Sequence, residues 1–144
     1  LLERFQKHDP IWPEEIEVVY NHLAKNLHPL TDAMRLHSPK ILAGSSGTFD
    51  TLSDIYCLQS GTPLKDFPET PFDISAFEKI FHEIASKDRE GRMQIPGMIE
   101  MRVEMIVVAC CLIKFILTRF TFERIRVSSY SLKEGVLASL IGKA

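Results

Sequence analysis

The sequence predicts a helix-rich α/β domain with few strands. Two short segments have strand character, the apolar run Lys40–Ala43 and the alternating segment Glu123–Ser129. Apolar residues at helical spacing occupy most of the rest, which gives the order helix, strand, helix, helix, helix, strand, helix. Strands that are separated by helices are expected to pair in parallel through a crossover. Because a parallel pair normally has further strands beside it, we also expect that N-terminal strands of the domain are absent from this chain.

The residues that precede the first strand predict helices. Leu1–Pro10 fits either a short helix or the tail of a strand, and its residues do not decide between them. Trp12–Glu15 begins a helix, because it places a proline and two acidic residues in the first turn. We expect Pro29 to end this helix and Thr31 to begin a shorter one. The apolar stripe of the first of these helices consists of Ile16, Val19, Tyr20, Leu23 and Leu27.

The first strand leads into a turn of small residues and then into a helix. The turn consists of Gly44, Ser45, Ser46, Gly47 and Thr48. A strand, a tight turn and a helix direct backbone N–H groups and the positive end of a helix dipole toward an anion. Glycine also reaches positive φ freely and leaves room for a ligand against the backbone. These five residues are therefore predicted to bind phosphate; the alternative is a compact turn in which the hydroxyl of Ser46 or Thr48 caps the helix.

The middle of the chain alternates connectors and a helix. Thr62–Pro71 holds three prolines and is predicted to be an irregular surface connector. Asp73 begins a helix whose apolar positions repeat at helical spacing. Lys87–Arg92 is a dense charge run, which is typical of a solvated turn. The alternative for this run is that Arg89 and Arg92 reach an extended anionic ligand.

The C-terminal third predicts the longest helix, a strand and a last helix. Met98–Phe120 begins amphipathic and becomes apolar on nearly all sides, so we expect other elements to enclose it. Glu123–Ser129 alternates apolar and charged residues and is predicted to be the second strand. Leu132–Ile141 forms the last helix. Its side chains expected to face the core are Val136, Leu137 and Leu140.

Composition places the chain among ordinary globular domains. It has 144 residues, 45% hydrophobic and 25% charged, with a net charge of −2 and scattered basic residues. No DNA-binding footprint is therefore expected. The longest apolar run, Met105–Ile113, is half the length that a membrane span needs, and no signal peptide opens the chain. We expect a soluble, cytoplasmic domain with no membrane contact; a first residue of Leu1 in place of methionine indicates an excised piece.

Residue types that often bind metals or react have no suggestive arrangement here. The five histidines lack the spacing of metal ligands, so no metal site is expected within the chain. Three cysteines, two of them adjacent in an apolar run, are predicted to be reduced and unreactive core residues. The methionines at the start of the long helix are predicted to fill the core. These residues are Cys57, Cys110, Cys111, Met98, Met101 and Met105.

Three segments together resemble the Ppx/GppA family of exopolyphosphatases and guanosine pentaphosphate phosphohydrolases. Ile41–Leu52, ILAGSSGTFDTL, is similar to the strand, Gly-x-x-Gly-Thr turn and helix of that family. Arg89–Ala109, REGRMQIPGMIEMRVEMIVVA, resembles its arginine, Pro-Gly-Met/Leu and Arg-(Ala/Val)-(Asp/Glu) block. Ile125–Leu137, IRVSSYSLKEGVL, looks like its strand followed by Leu-(Arg/Lys)-Glu-Gly. The three blocks have the order and spacing of the family.

The resemblance implies an actin-like, sugar-kinase-like fold of the ribonuclease H-like kind. The chain would be most of the second domain, with the first domain and its catalytic glutamate absent. Leu1–Glu3 would then be the tail of a preceding strand. No catalytic residue is expected in the chain, and no turnover by it alone.

The resemblance also implies the function of the full-length protein. It would cleave terminal phosphate from inorganic polyphosphate or guanosine pentaphosphate, with a divalent metal, magnesium, that this chain alone does not bind. Its partners would be the missing first domain and a second copy in a homodimer. Gly44–Thr48 would line the interdomain cleft. Arg102 would face this cleft, or else pair with Glu134 near the last helix.

The departures from the family pattern leave alternatives open. Ser131 and Lys133 replace the usual glycine and arginine, and lysine loses the bidentate geometry of arginine with phosphate. The second enzyme class on this fold is a sugar or acetate kinase, against which the Leu-Lys-Glu-Gly block argues. A non-enzymatic alternative is a nucleotide-binding or regulatory module that does not hydrolyse its ligand. The plainest alternative is a small α/β domain with a glycine turn.

Overall fold

The computed structural model describes residues 2–62 and 68–142. Over these residues the chain forms three strands and eight helices. In order they are α1 Leu2–Phe5, α2 Pro13–Asn26, α3 His28–His37, β1 Ile41–Ser45, α4 Gly47–Ser60, β2 Glu69–Phe72, α5 Ile74–Ser86, α6 Arg89–Met93, α7 Ile106–Arg119, β3 Arg124–Ser128 and α8 Leu132–Ile141.

The three strands form one sheet in the order β1-β3-β2. β1 and β3 are parallel, with Gly44 opposite Val127, which confirms the predicted crossover pairing. β2 runs antiparallel to β3, with Thr70 opposite Val127. The prediction of an irregular connector over Thr62–Pro71 is therefore wrong for its last residues, while residues 63–67 lie outside the described part. Pro71 is compatible with β2 because this strand is at the edge of the described sheet, where one N–H group can be missing without loss of strand pairing.

The helices on either side of the first strand follow the sequence closely. α2 begins after Trp12, where Glu15 turns back and its Oε2 accepts a hydrogen bond of 2.9 Å from the Trp12 N–H. α3 begins at His28, earlier than predicted, and Pro29 stands in its first turn. That position suits proline, since the first N–H groups of a helix have no partner inside it. α1 settles the open choice for the N-terminus: Leu2 and Glu3 are helical and not the tail of a strand.

The hydrophobic core lies between the sheet and the helices α2, α4, α5 and α7. α7 packs against both α2 and α5, which accounts for its apolar surface on nearly all sides. The core also contains the three cysteines, whose burial was predicted. Large side chains that are fully buried include Val19, Leu52, Phe77, Ile80, Val107 and Ile125.

The predicted helix Met98–Phe120 is too long at its start. Helix α7 begins only at Ile106, and residues 100–105 form turns. Gly97 has φ +93, a left-handed conformation that turns the chain just before the predicted helix start at Met98. The prediction of core methionines is correct for Met98 but wrong for Met101 and Met105, which are 76% and 50% exposed, because these turns direct their side chains outward.

The prediction of a solvated turn over Lys87–Arg92 is correct for the exposure of Asp88, Arg89 and Glu90, but wrong for the end of the run. Arg89 begins α6, and Arg92 in that helix is only 1% exposed. Arg92 is held by Asp9, so it cannot reach an extended anionic ligand as the alternative required. Arg89 remains partly exposed, and its guanidinium pairs with Glu100 at 3.1 Å and Glu104 at 3.6 Å.

Helix α8 has the predicted bounds, but its apolar side chains do not face the core. Val136, Leu137 and Leu140 are 50%, 57% and 64% exposed. No side chain of this helix is buried by the described residues. The periodicity correctly predicts a helix, but it does not show whether other parts of the chain cover its apolar side chains. No helix in the described residues is long and apolar enough to cross a membrane.

Candidate functional site

The predicted phosphate turn joins β1 to α4 through a single residue. Ser46 connects them with φ 67 and ψ 175, so the positive φ falls on a serine and not on either glycine as the sequence suggested. The Ser46 carbonyl accepts hydrogen bonds from the N–H groups of Phe49 at 2.9 Å and Asp50 at 3.2 Å. The N–H groups of Gly47 and Thr48 come before this first helical bond and are left as donors at the helix N-terminus.

Ser46 occupies the N-cap position of α4 without capping the helix through its side chain. Within the described ranges, the hydroxyls of Ser45, Ser46 and Thr48 make no hydrogen bond. The capping role that was the alternative to ligand binding is therefore not observed. Three hydroxyls and two N–H groups remain able to bind a ligand at this turn.

Both glycines of the turn permit a close approach of a side chain. A Cβ atom on Gly44 would overlap the ring of Phe49, which folds back over the end of β1. A Cβ atom on Gly47 would overlap Cζ and Nη2 of Arg102 and lie 2.8 Å from its Nε. Arg102 therefore lies directly over the start of α4, although 55 positions separate the two residues along the chain (102 minus 47).

A cavity of about 290 Å³ opens beside this contact. Four of the five turn residues line it, together with Arg102, whereas Gly44 lies behind the Phe49 ring. The opposite wall is apolar and comes from Phe49 and from α7. From the sequence, the apolar residues of this wall are predicted only to pack, since their periodicity does not distinguish a cavity wall from a core. They are Phe49, Ala109, Leu112 and Ile113.

The guanidinium of Arg102 has no carboxylate partner among the residues that the structure describes. Glu134, the partner that the sequence allowed, instead accepts hydrogen bonds from the N–H of Ser131 at 2.7 Å and its hydroxyl at 2.9 Å. It also lies 3.3 Å from Lys133. The pairing of Arg102 with Glu134 is therefore not formed. An arginine with its charge uncompensated, placed at the positive end of a helix, favours an anionic ligand.

The donors at this cavity fit an anion and not a metal ion. N–H groups and a guanidinium repel a cation, and the hydroxyl oxygens of this lining come without the carboxylates through which proteins usually hold magnesium. Over the described ranges, no group of three histidine, cysteine, aspartate or glutamate side chains is placed to hold a metal ion. The thiols are also unsuited to binding or reaction, because burial raises the pKa of Cys110 and raises that of Cys111 to about 12.

A parallel strand pair, a one-residue turn and a helix N-terminus beneath an arginine belong to an α/β domain of the actin-like kind. The chain belongs to the Ppx/GppA phosphatase family, whose model matches residues 1–144. The resemblance and the fold that were inferred from the three segments are thereby confirmed.

Solved structures agree with this assignment. The chain is similar to an exopolyphosphatase from Cytophaga hutchinsonii, with 33% identity and a TM-score of 0.93 over 99% of this chain and 46% of that one. It is also similar in fold to the Ppx/GppA family member of Aquifex aeolicus, with 24% identity and a TM-score of 0.77 over 98% of this chain and 45% of that one. The chain thus spans less than half of the length of these relatives. A search of curated proteins found no significant match.

Proposed function

We propose that this chain is part of a phosphohydrolase that removes terminal phosphate from inorganic polyphosphate or guanosine pentaphosphate. It would supply one wall of the phosphate-binding cleft. The observation that carries this proposal is the unpaired guanidinium of Arg102 over Gly47 at the N-terminus of α4. Membership of the Ppx/GppA phosphatase family supports the reaction class.

The residues at the cavity would bind and orient the phosphate chain. The N–H groups of Gly47 and Thr48 would donate to one phosphate group, and Arg102 would donate to the same or the next one. Phosphoryl transfer depends mainly on such positioning and on neutralising charge. The apolar wall formed by Phe49 and Ile113 would exclude water from one side, which strengthens these interactions.

The remaining parts of the machinery are proposed to lie outside this chain. The cavity lining contains no carboxylate that could orient the attacking water. The divalent metal that the family implies does not fit these donors either, so no step here is assigned to it. We place both in a first domain of the same polypeptide. This arrangement is supported by the coverage, since the chain spans only 44–46% of the solved relatives. The proposal also includes a homodimer of the full-length protein.

A binding module that does not hydrolyse its ligand is the second candidate, because the lining of the cavity has donors but no carboxylate. The two candidates share the anion site and differ in turnover. A test of the shared part therefore comes first, and a test of hydrolysis separates them.

The anion site is tested by calorimetric titration of the full-length protein with inorganic tripolyphosphate. Arg102→Ala is expected to weaken the affinity about tenfold or more, since it removes a charge-assisted interaction. Arg124→Ala, which removes an exposed arginine on β3, serves as the control and should leave the affinity unchanged. Equal affinities of the wild type and Arg102→Ala would contradict the proposal.

A further inference from the structure

Arg92 is the most deeply buried charged side chain among the described residues, with 1% of its surface exposed. Its guanidinium makes two bonds to the carboxylate of Asp9, Nη1 to Oδ1 at 2.6 Å and Nη2 to Oδ2 at 3.1 Å. Nη1 also donates to the Lys87 carbonyl at 2.5 Å, and Nε donates to the Val103 carbonyl at 2.9 Å. Arg92 thus joins the start of α6 to the segment before α7 and to Asp9, which lies 83 positions away in sequence.

The hydrogen bond from Arg92 holds the carbonyl of Val103, the residue that follows Arg102 in sequence. The N–H of Arg102 donates to the Ile99 carbonyl at 3.0 Å, and its carbonyl accepts from the Ile106 N–H at 2.9 Å. With the Val103 carbonyl held by Arg92, the backbone on both sides of Arg102 is fixed. Among the residues that the structure describes, the side chain of Arg102 has no partner, and it lies against Gly47.

A second contact fixes the same segment against α4. Gly97 packs so closely on this helix that a Cβ atom there would lie 2.7 Å from the N atom of Ile55. Val103 is fully buried, so the segment 97–103 is attached to the core at both ends. Asp9 is itself held by the N–H of Arg89, which donates to Oδ2 at 2.7 Å. An unbroken series of contacts therefore links Asp9, Arg92, Val103 and Arg102.

We propose that Arg92 and Asp9 are positioning residues that hold Arg102 over the N-terminus of α4 for anion binding. This inference rests on the proposed function of Arg102. A buried ion pair contributes little net stability compared with an apolar pair of the same volume. What a bidentate arginine adds is a fixed geometry, since its planar fork orients Asp9 and the Val103 carbonyl simultaneously.

Arg92→Lys in the full-length protein tests this role, because lysine retains the charge opposite Asp9 but loses the bidentate pair and the Nε bond to Val103. We expect it to weaken the affinity for inorganic tripolyphosphate about fivefold. In a protein that also carries Arg102→Ala, the same substitution should change the affinity by less than about twofold, since it acts through Arg102. Glu78→Gln, which breaks the ion pair with Lys114 elsewhere, is the matched control and should have no effect in either background.

The outcomes separate the two proposals. If Arg102→Ala weakens binding but Arg92→Lys does not, the positioning role is overturned and the anion site stands. Equal losses from Arg92→Lys with and without Arg102 would also overturn it, because the effect would then be structural. If Arg102→Ala leaves the affinity unchanged, both proposals fail. Should Arg92→Lys not fold, as judged by circular dichroism, Asp9→Asn breaks the other arm of the pair and is subject to the same expectations.

Discussion

Gly47 and Arg102 form the contact on which the proposed site depends. The guanidinium occupies the space that any side chain at position 47 would need. The atoms that would be displaced are at the far end of a flexible side chain, so Arg102 can move away without a change in the backbone. A substitution here therefore separates ligand binding from folding.

Gly47→Ala is expected to weaken the affinity for inorganic tripolyphosphate about tenfold by displacing the arginine. The free energy of unfolding should change by less than about 0.5–1 kcal/mol, because alanine is favourable inside a helix. Chemical denaturation and calorimetric titration measure the two quantities. Gly135→Ala in α8, where a Cβ atom would meet nothing within 4 Å, is the control. An unchanged affinity of Gly47→Ala would show that the contact has no role in binding.

Single residues of the site could be predicted only where a local pattern marks them. The Gly-x-x-Gly-Thr pattern pointed to Gly44–Thr48 and the family resemblance to Arg102; the structure brings four of the turn residues and Arg102 to one cavity, and their binding role stays a prediction. The burial of Arg92 had no local sign, because it stands in a run of charged residues that is typical of a solvated turn. Its partner Asp9 lies 83 positions away, and no pattern in one sequence indicates such a pair.

At the level of elements, the segment between α6 and α7 sets the position of Arg102. The sequence predicted a helix from Met98 onward, because the segment begins amphipathic and then becomes apolar on nearly all sides. In the structure residues 100–105 form turns, and the Val103 carbonyl accepts a hydrogen bond from the Arg92 side chain. Tertiary contacts of this kind cannot be predicted from the spacing of apolar residues along the segment.

Gly97→Ala is expected to destabilise the protein by roughly 2–4 kcal/mol, measured by chemical denaturation. Alanine at this position would have to adopt the positive φ of 93, which is strained for a residue with a side chain. Its Cβ atom would also overlap the backbone of α4 at Asp54 and Ile55. Gly61→Ala is the matched control, since Gly61 has φ 67 but open space around it, and it should cost only about 1 kcal/mol. Equal losses from the two variants would mean that the close packing on α4 contributes nothing.

The start of α8 gives a pH-dependent prediction. Hydrogen bonds from the Ser131 N–H and hydroxyl lower the pKa of Glu134 from 4.5 to about 2. Because the folded pKa lies below the ordinary value, the carboxylate stabilises the helix start fully above about pH 4.5. This stabilisation is lost as the pH falls through about 2.

An NMR titration of the Glu134 side-chain carboxyl should therefore have its midpoint well below 4.5 in the wild type. Ser131→Ala removes the hydroxyl bond and retains the N–H bond, so the midpoint should rise only part of the way. A midpoint near the ordinary glutamate value in the wild type would contradict the capping arrangement.

For the whole molecule, the main feature is apolar surface that the described residues do not cover. The exposed side chains of α8 include Leu132 at 84% and Ile141 at 75%. In the described sheet, β1 pairs on one side only, with β3. Exposed apolar surface and an open strand edge both favour association with other protein surfaces.

The 144-residue chain produced alone is therefore expected to self-associate. Sedimentation velocity over increasing concentration should show a rising average mass. Leu137→Lys and Leu140→Lys together should reduce this association without lowering the free energy of unfolding of the monomer, since both side chains are exposed. A monomer at all concentrations would contradict the prediction.

The overall topology could be predicted further than its details. Parallel pairing of β1 and β3 followed from the order of elements, whereas β2 was missed because Pro68 and Pro71 flank or enter a strand of four residues. Prolines normally indicate a connector, and only the position at an edge makes them compatible with a strand.

The central claim is that the cavity over the N-terminus of α4 holds a phosphate chain that the full-length protein hydrolyses. The most direct test is release of phosphate from long-chain polyphosphate and from guanosine pentaphosphate, compared with magnesium present for the wild type and Arg102→Ala. The account predicts release from at least one substrate and a loss of about tenfold or more in kcat/KM for the variant. Release that is equal in both proteins would contradict the role of this cavity, and no release from a folded wild type would contradict hydrolysis and favour the binding module.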